Sequence, residues 1–252
     1  MKEKIIGIMA AMTEEVKGVI ALIENRKEIV FGMRSYYTGE LNGVKVVVTF
    51  SRWGKVAAAT TVTTLITKFG VAKIIFTGVA GAIHTGLRIG DIVIGNRLVQ
   101  HDMNSSPMYP QYEIPLHHIT FFDSDSTLRA IASQAVRGLI EEKVFENDDF
   151  AAFNIDKPEL FIGDIASGDQ FFSTNEQKVQ LHNALPSVLC VEMEGAAVAQ
   201  ICYEYNIPCI VIRTISDTAD EKSHIDFMAF TKKIASFYSA EIIKRIVTTK
   251  NQ

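Results

Sequence analysis

Cysteine is scarce. Cys190, Cys202 and Cys209 are the only three in 252 residues, an odd number with no CxxC pair. A disulfide framework or a thiolate metal site is therefore not expected, and the three read as buried small hydrophobes. The histidines carry no metal signature either: His84, His101, His117, His118, His182 and His224 form neither HExxH nor an equivalent spacing. The GxSxG elbow and the GxxxxGK[ST] phosphate loop are both missing. These gaps argue against the commonest metalloenzyme, serine-hydrolase and P-loop chemistries, and no metal site is expected. Charge of one sign is lacking as well. Lys plus Arg total 25 against 29 Asp plus Glu, a net charge of −4, and no block of five like charges occurs. A protein that neutralises many phosphates shows a basic excess or stripe, so nucleic acid is not an expected partner. No apolar run reaches the roughly 20 residues of a spanning helix. Met1 to Ala11 is too short for a signal peptide and no cleavage region comes after it. A cytoplasmic protein with no membrane partner is the expectation.

What is present is a chain that is 48% hydrophobic. At this length a single domain over residues 1–252 can bury roughly 70–75% of its unfolded surface. Lys4–Met9, Val44–Phe50, Lys73–Thr77, Asp91–Gly95, Leu160–Ser167, Val188–Val191 and Cys209–Ile215 read as strands, several of them apolar at consecutive positions. Such runs fit strands covered by helices on both faces. Glu28–Leu41 reads as a further strand pair. Helices are expected over Val56–Phe69, Leu128–Val144, Asn175–Leu185, Gly195–Tyr205 and about Ile225 to Val247. In the last of these, Phe227, Phe230, Ile234, Phe237 and Ile242 keep the helical period and read as core. Strand–helix alternation from end to end predicts one α/β domain around a central sheet.

In such folds sites gather at the carboxyl ends of strands. Thr13, Glu14 and Glu15 come after the first strand; Thr13 can cap a helix whose positive first turn suits either glutamate, or one carboxylate can face a site. Thr77-Gly78-Val79-Ala80-Gly81-Ala82 is either a tight small-residue turn or a close backbone approach to a ligand. Ser167-Gly168-Asp169-Gln170-Phe171-Phe172 offers two aromatic rings that pack in a core or stack on a flat ring. Glu192 and Glu194 end a buried strand, an expensive place for acids without partners. The helix that starts there would favour an ionised Glu194. Asp217 ends an apolar strand, where burial can keep a carboxyl group protonated. Three separate strand ends each present an acid beside a glycine-rich segment and an aromatic pair. That set suits acid–base chemistry on a small, flat-ringed substrate.

Seven segments recur in order in a known family: Met12-Thr13-Glu14-Glu15-Val16, Ser51-Arg52-Trp53-Gly54-Lys55-Val56-Ala57, Thr77-Gly78-Val79-Ala80-Gly81, Gly90-Asp91-Ile92-Val93, Ser167-Gly168-Asp169, Val191-Glu192-Met193-Glu194 and Ile215-Ser216-Asp217. Together they resemble the 5′-methylthioadenosine/S-adenosylhomocysteine nucleosidases of the nucleoside phosphorylase superfamily, from the N-terminus to the last helix. The resemblance implies a three-layer α/β fold with a mixed central β-sheet flanked by helices, and a homodimer. It implies hydrolysis of the adenine–ribose bond of a small nucleoside by water, with no cofactor. Carried over by position, Asp217 is the general acid at adenine N7, and Glu15 is the base that prepares the water. Glu194 binds the ribose hydroxyls and Met193 packs on the sugar. Phe171 stacks on adenine, and the Phe172 backbone bonds its edge. Met12, Val79, Ala80, Gly81, Trp53 and Ser216 complete the site. Arg213 and Ser216 support the Asp217 loop. Val79 stands where some members carry serine, and Trp53 where smaller aliphatics also occur. The segment His101 to Pro115 differs from the better-known form of the loop around the 5′-substituent. Met108, Tyr109 and Pro115 are candidates to line that pocket, in one chain or across a dimer, and the preferred 5′-substituent stays open.

Two other functions remain in play. A purine nucleoside phosphorylase needs an anion site, usually arginines. The first loop offers Glu14 and Glu15 instead, with Arg52 and Arg88 as the remaining candidates. A silent purine-binding protein would have no need of a proton donor beside two further acids.

Overall fold

The computed structural model describes residues 4–142, 148–221 and 223–248. In chain order its elements are β1 (Ile6–Ala10), α1 (Thr13–Ala21), β2 (Glu24–Phe31), β3 (Arg34–Leu41), β4 (Val44–Phe50), α2 (Lys55–Thr67), β5 (Lys73–Ala82), β6 (Ile92–Gln100), β7 (Phe122–Asp123), α3 (Ser126–Glu141) and α4 (Asp148–Ala151). After these come β8 (Leu160–Ser167), α5 (Asn175–Ala184), β9 (Val188–Glu192), α6 (Gly195–Glu204), β10 (Cys209–Asp217), α7 (Ser223–Phe230), a π-helical stretch over Thr231–Ala235, and α8 (Ser236–Thr248). Every expected strand and helix is present. The expected helix end at Val144 lies outside the described residues.

The sheet is mixed and central, with helices on both sides, as expected. Its strand order is β10-β6-β8-β9-β5-β1-β4-β3-β2, with β7 added beside β6. β1 runs parallel to β4 and β5, and β5 parallel to β10. β10 is antiparallel to β6, and β9 to β5. Because β10 pairs with β5 as well as β6, the strands β5, β10, β6, β8 and β9 close into a ring. Nothing in the hydrophobic pattern announces that closure, since it depends on one strand having two neighbours rather than on its composition.

Alternation along the strands separates two large core clusters, beside a smaller third one that includes Leu181, Leu185 and Val188. Ile6, Ile8, Ala10, Val46, Val48, Ile210 and Ile212 pack with α1, α3 and α8. Met9, Val47, Ile74, Phe76, Val211 and Ile215 pack with α2 and α6. Strands buried on both faces are the reason their sequences are apolar at consecutive positions. The stripe expected of the last helix is core: Phe230, Ile234 and Ile242 are buried, and Phe227 and Phe237 pack against them. A π-helical stretch interrupts the α-helix over Thr231–Ala235. Phe227 also lines a cleft at the carboxyl ends of the strands. No helix among the described residues is long and apolar enough to cross a membrane. The three cysteines are free and buried, as expected.

Candidate active site

The ring closure gathers the carboxyl ends of β1, β5, β8, β9 and β10 around one cleft. It holds about 540 Å³ of empty space, the open mouth included. Met12, Glu15, Trp53, Val79, Ala80, Gly81, Phe171, Phe172, Met193, Glu194, Ser216 and Asp217 all line it, so eleven separate strand-end candidates and Trp53 converge. Met108 does not. It lies 80% exposed in the segment after β6, outside this chain's cleft.

Glu15 is at the third position of α1, only 2% exposed. Its Oε2 accepts the backbone N–H groups of Ala11 (2.9 Å) and Met12 (2.8 Å). Oε1 accepts that of Val79 (3.0 Å). The cap position belongs to Met12, not Thr13. Burial raises the Glu15 carboxyl above the ordinary glutamate range, against the opposing charge of Arg213 and the three backbone donors.

Asp217 closes β10 and is 3% exposed. Ser216 Oγ donates to its Oδ2 (2.7 Å) and the Ala219 N–H to its Oδ1 (2.9 Å). Burial is the main reason its carboxyl rises to about 6; the Ser216 and Ala219 donors oppose this, while Asp226 and Asp220 add to it. Ser216 thus holds the Asp217 carboxyl from the adjacent position.

Glu194 precedes α6, and its Oε1 accepts the Gly54 N–H (2.7 Å). Burial, with the charge of Glu192 next, raises its carboxyl to about 8. The helix N-terminus expected to keep Glu194 ionised instead serves Glu192. Glu192 Oε2 accepts the N–H groups of Glu194 (3.0 Å) and Gly195 (2.8 Å). Arg213 Nη2 donates to the same oxygen at 2.6 Å, and Ser167 Oγ donates to Oε1. The hydrogen bonds of Arg213 go to Glu192 and to the Phe76 and Ile212 carbonyls rather than to the Asp217 side chain. Arg213 lies fully buried, paired with Glu192 and stacked over the Phe76 ring with its carbon 4.2 Å from the centroid. Its charge offsets the buried acids from behind the cleft, a role that the sequence reading missed. The signal available was the pair Glu192 and Glu194 two residues apart, too many buried acids for one strand end without a cation.

The glycine-rich segment is the last part of β5, not a turn. Its glycines make room for the protein's own carboxylates. A Cβ on Gly78 would lie 2.8 Å from Glu15 Oε1, and one on Gly81 would lie 2.8 Å from Asp217 Oδ1. At those distances a side chain at either position would have to push the carboxylate aside. Phe227 packs edge-on against both Trp53 (5.9 Å) and Phe171 (5.5 Å), giving the cleft an aromatic rim. Phe172 is buried, with its ring edge-on to His101 at 5.1 Å and its carbonyl accepting Ser223 Oγ at 3.0 Å. Gln170 and Phe227 are lining residues that sequence reasoning did not select.

Among the described residues no basic side chain lines the cleft, while four carboxylates do: Glu15, Glu192, Glu194 and Asp217. Arg52 is occupied at the Met33 carbonyl, and Arg88 at Glu159 and Asp91 on another part of the molecule. An acid-rich, aromatic-rimmed cleft at converging strand ends suits proton-transfer chemistry on a small ringed molecule. The phosphorylase superfamily model matches residues 5–248, and the chain belongs to that family. It is 35% identical over 244 residues to an aminodeoxyfutalosine nucleosidase of Helicobacter pylori, spanning 96% of this chain and 97% of that one. It is 34% identical, again over 244 residues, to a 5′-methylthioadenosine/S-adenosylhomocysteine nucleosidase of Staphylococcus aureus, spanning 96% and 99%. The crystal structure of a 5′-methylthioadenosine/S-adenosylhomocysteine nucleosidase from Neisseria meningitidis, in complex with methylthio-immucillin-A, matches with a TM-score of 0.86. That match has 34% identity and covers 98% of this chain and 99% of that one. Enzymes that hydrolyse N-glycosidic bonds are thus its relatives along the whole chain.

Proposed function

We propose that the protein hydrolyses the N-glycosidic bond of 5′-substituted adenosines, among them 5′-methylthioadenosine and S-adenosylhomocysteine, releasing adenine and the 5-substituted ribose. The observation that carries the choice of water over phosphate is the lining itself. A cleft whose described lining has four carboxyl groups and no lysine or arginine offers an anionic nucleophile no cation to hold it and suits a neutral one.

The chemistry divides among three acids. Adenine is a poor leaving group until N7 is protonated. Asp217, raised to about 6 chiefly by burial, carries the proton for it. Bond breaking leaves positive charge on the ribose ring, which the neighbouring carboxylates stabilise. Glu15, held by three backbone donors and facing the cleft from the opposite side of the Gly78–Gly81 segment, takes the proton of the attacking water. Glu194 offers Oε2 to the sugar hydroxyls, because Gly54 occupies Oε1. Met193 packs on the sugar, Phe171 stacks on the purine, and the Phe172 backbone meets its edge. These roles extend the two-carboxylate logic of glycosidases to an N-glycoside. Proton donation and water activation each supply about 10²–10⁴-fold, or ~3–5 kcal/mol.

The chain acts as a homodimer in this reading. Met108 and Leu116, 80% and 82% exposed, are available in the segment 101–121 to reach a second copy. The test of function is adenine release in phosphate-free buffer from 5′-methylthioadenosine, S-adenosylhomocysteine, 5′-deoxyadenosine and aminodeoxyfutalosine. Turnover of at least the first two is expected. Strict dependence on phosphate would make the protein a phosphorylase, and tight binding of all four without turnover would make it a binding protein.

A further inference from the structure

Lys55, Asp102 and Asp169 make a hydrogen-bonded clamp just outside the cleft, and none of the three lines it. The first two backbone N–H groups at the start of α2 diverge to carboxylates from different strand ends. Gly54 N donates to Glu194 Oε1 (2.7 Å), and Lys55 N donates to Asp169 Oδ1 (2.8 Å). Asp102 then holds both ends of the second contact. Its Oδ1 accepts Lys55 Nζ at 2.5 Å, and its Oδ2 accepts the Asp169 N–H at 2.9 Å. Lys55 Nζ also reaches Gln100 Oε1 at 3.1 Å. The clamp ties the α2 start to the segments beyond β6 and β8.

Gly54 is forced into this arrangement. Its φ is +91°, a conformation that L side chains rarely adopt, and a Cβ there would lie 2.9 Å from Asp169 Oδ1. The turn that aims the Gly54 amide at Glu194 is thus braced from behind by the Asp169 carboxylate. Burial pushes the Asp102 carboxyl up, yet the Lys55 ammonium and the Asp169 amide bring it below the ordinary range overall, so it stays anionic between its two donors. With Glu194 Oε1 fixed on Gly54, the rotation of the carboxyl group and the direction of Oε2 are fixed too.

We propose that Asp169, held by Asp102 and Lys55, is a positioning residue that sets the site's selectivity for sugar hydroxyls by fixing the Gly54 amide against Glu194. The inference rests on the proposed binding of those hydroxyls by Glu194. Asp169 touches neither substrate nor reacting atoms, so its loss acts on hydroxyl recognition more than on purine binding.

The test compares kcat/KM for 5′-methylthioadenosine with that for its 2′-deoxy and 3′-deoxy analogues, in the wild type, Asp169→Ala, Asp169→Asn, Asp102→Asn and Glu194→Gln. Taking each ribo-to-deoxy ratio against the wild type cancels the greater intrinsic lability of deoxynucleosides. Asp169→Ala is expected to lower the ratio about tenfold or more, the scale of one hydrogen bond to a charged group. Asp169→Asn keeps an acceptor for the Lys55 amide and is expected to restore most of the ratio. Adding Asp169→Ala to Glu194→Gln should lower it little further. Inhibition by free adenine should stay within about twofold of the wild type, the spread of a neutral surface change. A wild-type ratio in Asp169→Ala, with the ratio lost in Glu194→Gln, overturns the proposal and leaves the Glu194 reading intact. A wild-type ratio in Glu194→Gln itself overturns both. Should Asp169→Ala fail to fold, Asp102→Asn decides: a lowered ratio supports the clamp and an unchanged one refutes it.

Discussion

Replacing Asp217 by asparagine removes one proton-donating group and very little else. In the native site Oδ1 accepts the Ala219 N–H at 2.9 Å and Oδ2 accepts Ser216 Oγ at 2.7 Å. An asparagine placed the same way keeps its oxygen on the Ala219 amide. Its NH2 group then stands where Oδ2 was, and the Ser216 hydroxyl turns to accept from it. Both buried partners remain satisfied, so the fold should lose no more than about 1 kcal/mol. The chemistry loses the donor for N7. General acid catalysis is worth about 10²–10⁴-fold, or ~3–5 kcal/mol in the barrier. The expected outcome is a fall of that size in kcat, with KM for 5′-methylthioadenosine within a few fold and with the unfolding midpoint nearly unchanged. The assay is steady-state adenine release, with thermal unfolding of the same preparation as control. A folded Asp217→Asn protein turning over within tenfold of the wild type would refute the assignment.

The same geometry sets other outcomes. The active form needs Asp217 protonated and Glu15 ionised. Therefore kcat/KM should fall as pH rises through about 6, and also fall on the acid side as Glu15, raised above its ordinary range, takes a proton; a flat profile from pH 5 to 9 would contradict it. The alkaline limb of kcat should lie higher than that of kcat/KM, because bound purine strips further water from Asp217. Arg213→Met leaves the buried Glu192 carboxylate without its cation and should cost about 3–5 kcal/mol in denaturant unfolding. Gly81→Ala drives a methyl group against Asp217 Oδ1 and should cut activity more than tenfold while the protein still folds, read by the same adenine assay beside circular dichroism.

The central sheet was legible because helices cover both of its faces and leave strands such as Cys209–Ile215 almost wholly apolar, with Arg213 and Thr214 as the exceptions. The acids at the ends of β1, β9 and β10 were legible for the complementary reason: a carboxylate at the end of such a strand stands out against its surroundings. Other features were hidden by the same short-range view. Ring closure places Asp217 beside Gly81 through the β10–β5 pairing, which no local pattern encodes. Gly78 and Gly81 read as a turn because their purpose, space for Glu15 and Asp217, depends on side chains far away in the sequence. The sequence points the helix N-terminus at Glu194 although Glu192 holds it, since sequence cannot say which of two nearby glutamates curls back on its own backbone. Phe227 shares the helical period of the core residues Phe230 and Ile234 and packs against them, and no local pattern says that the same ring also lines the cleft. Met108 had no signal that distinguishes a cleft residue from an exposed one.

Single-turnover hydrolysis of 5′-methylthioadenosine in ¹⁸O-water, without phosphate, bears most directly on the account of an acid-lined site that activates water while a neutral aspartic acid releases the purine. One labelled oxygen on the anomeric carbon of the ribose product, formed at the rate of adenine release and suppressed together with it in Glu15→Gln, is the predicted result. Adenine release that waits for added phosphate and yields a sugar 1-phosphate would contradict it.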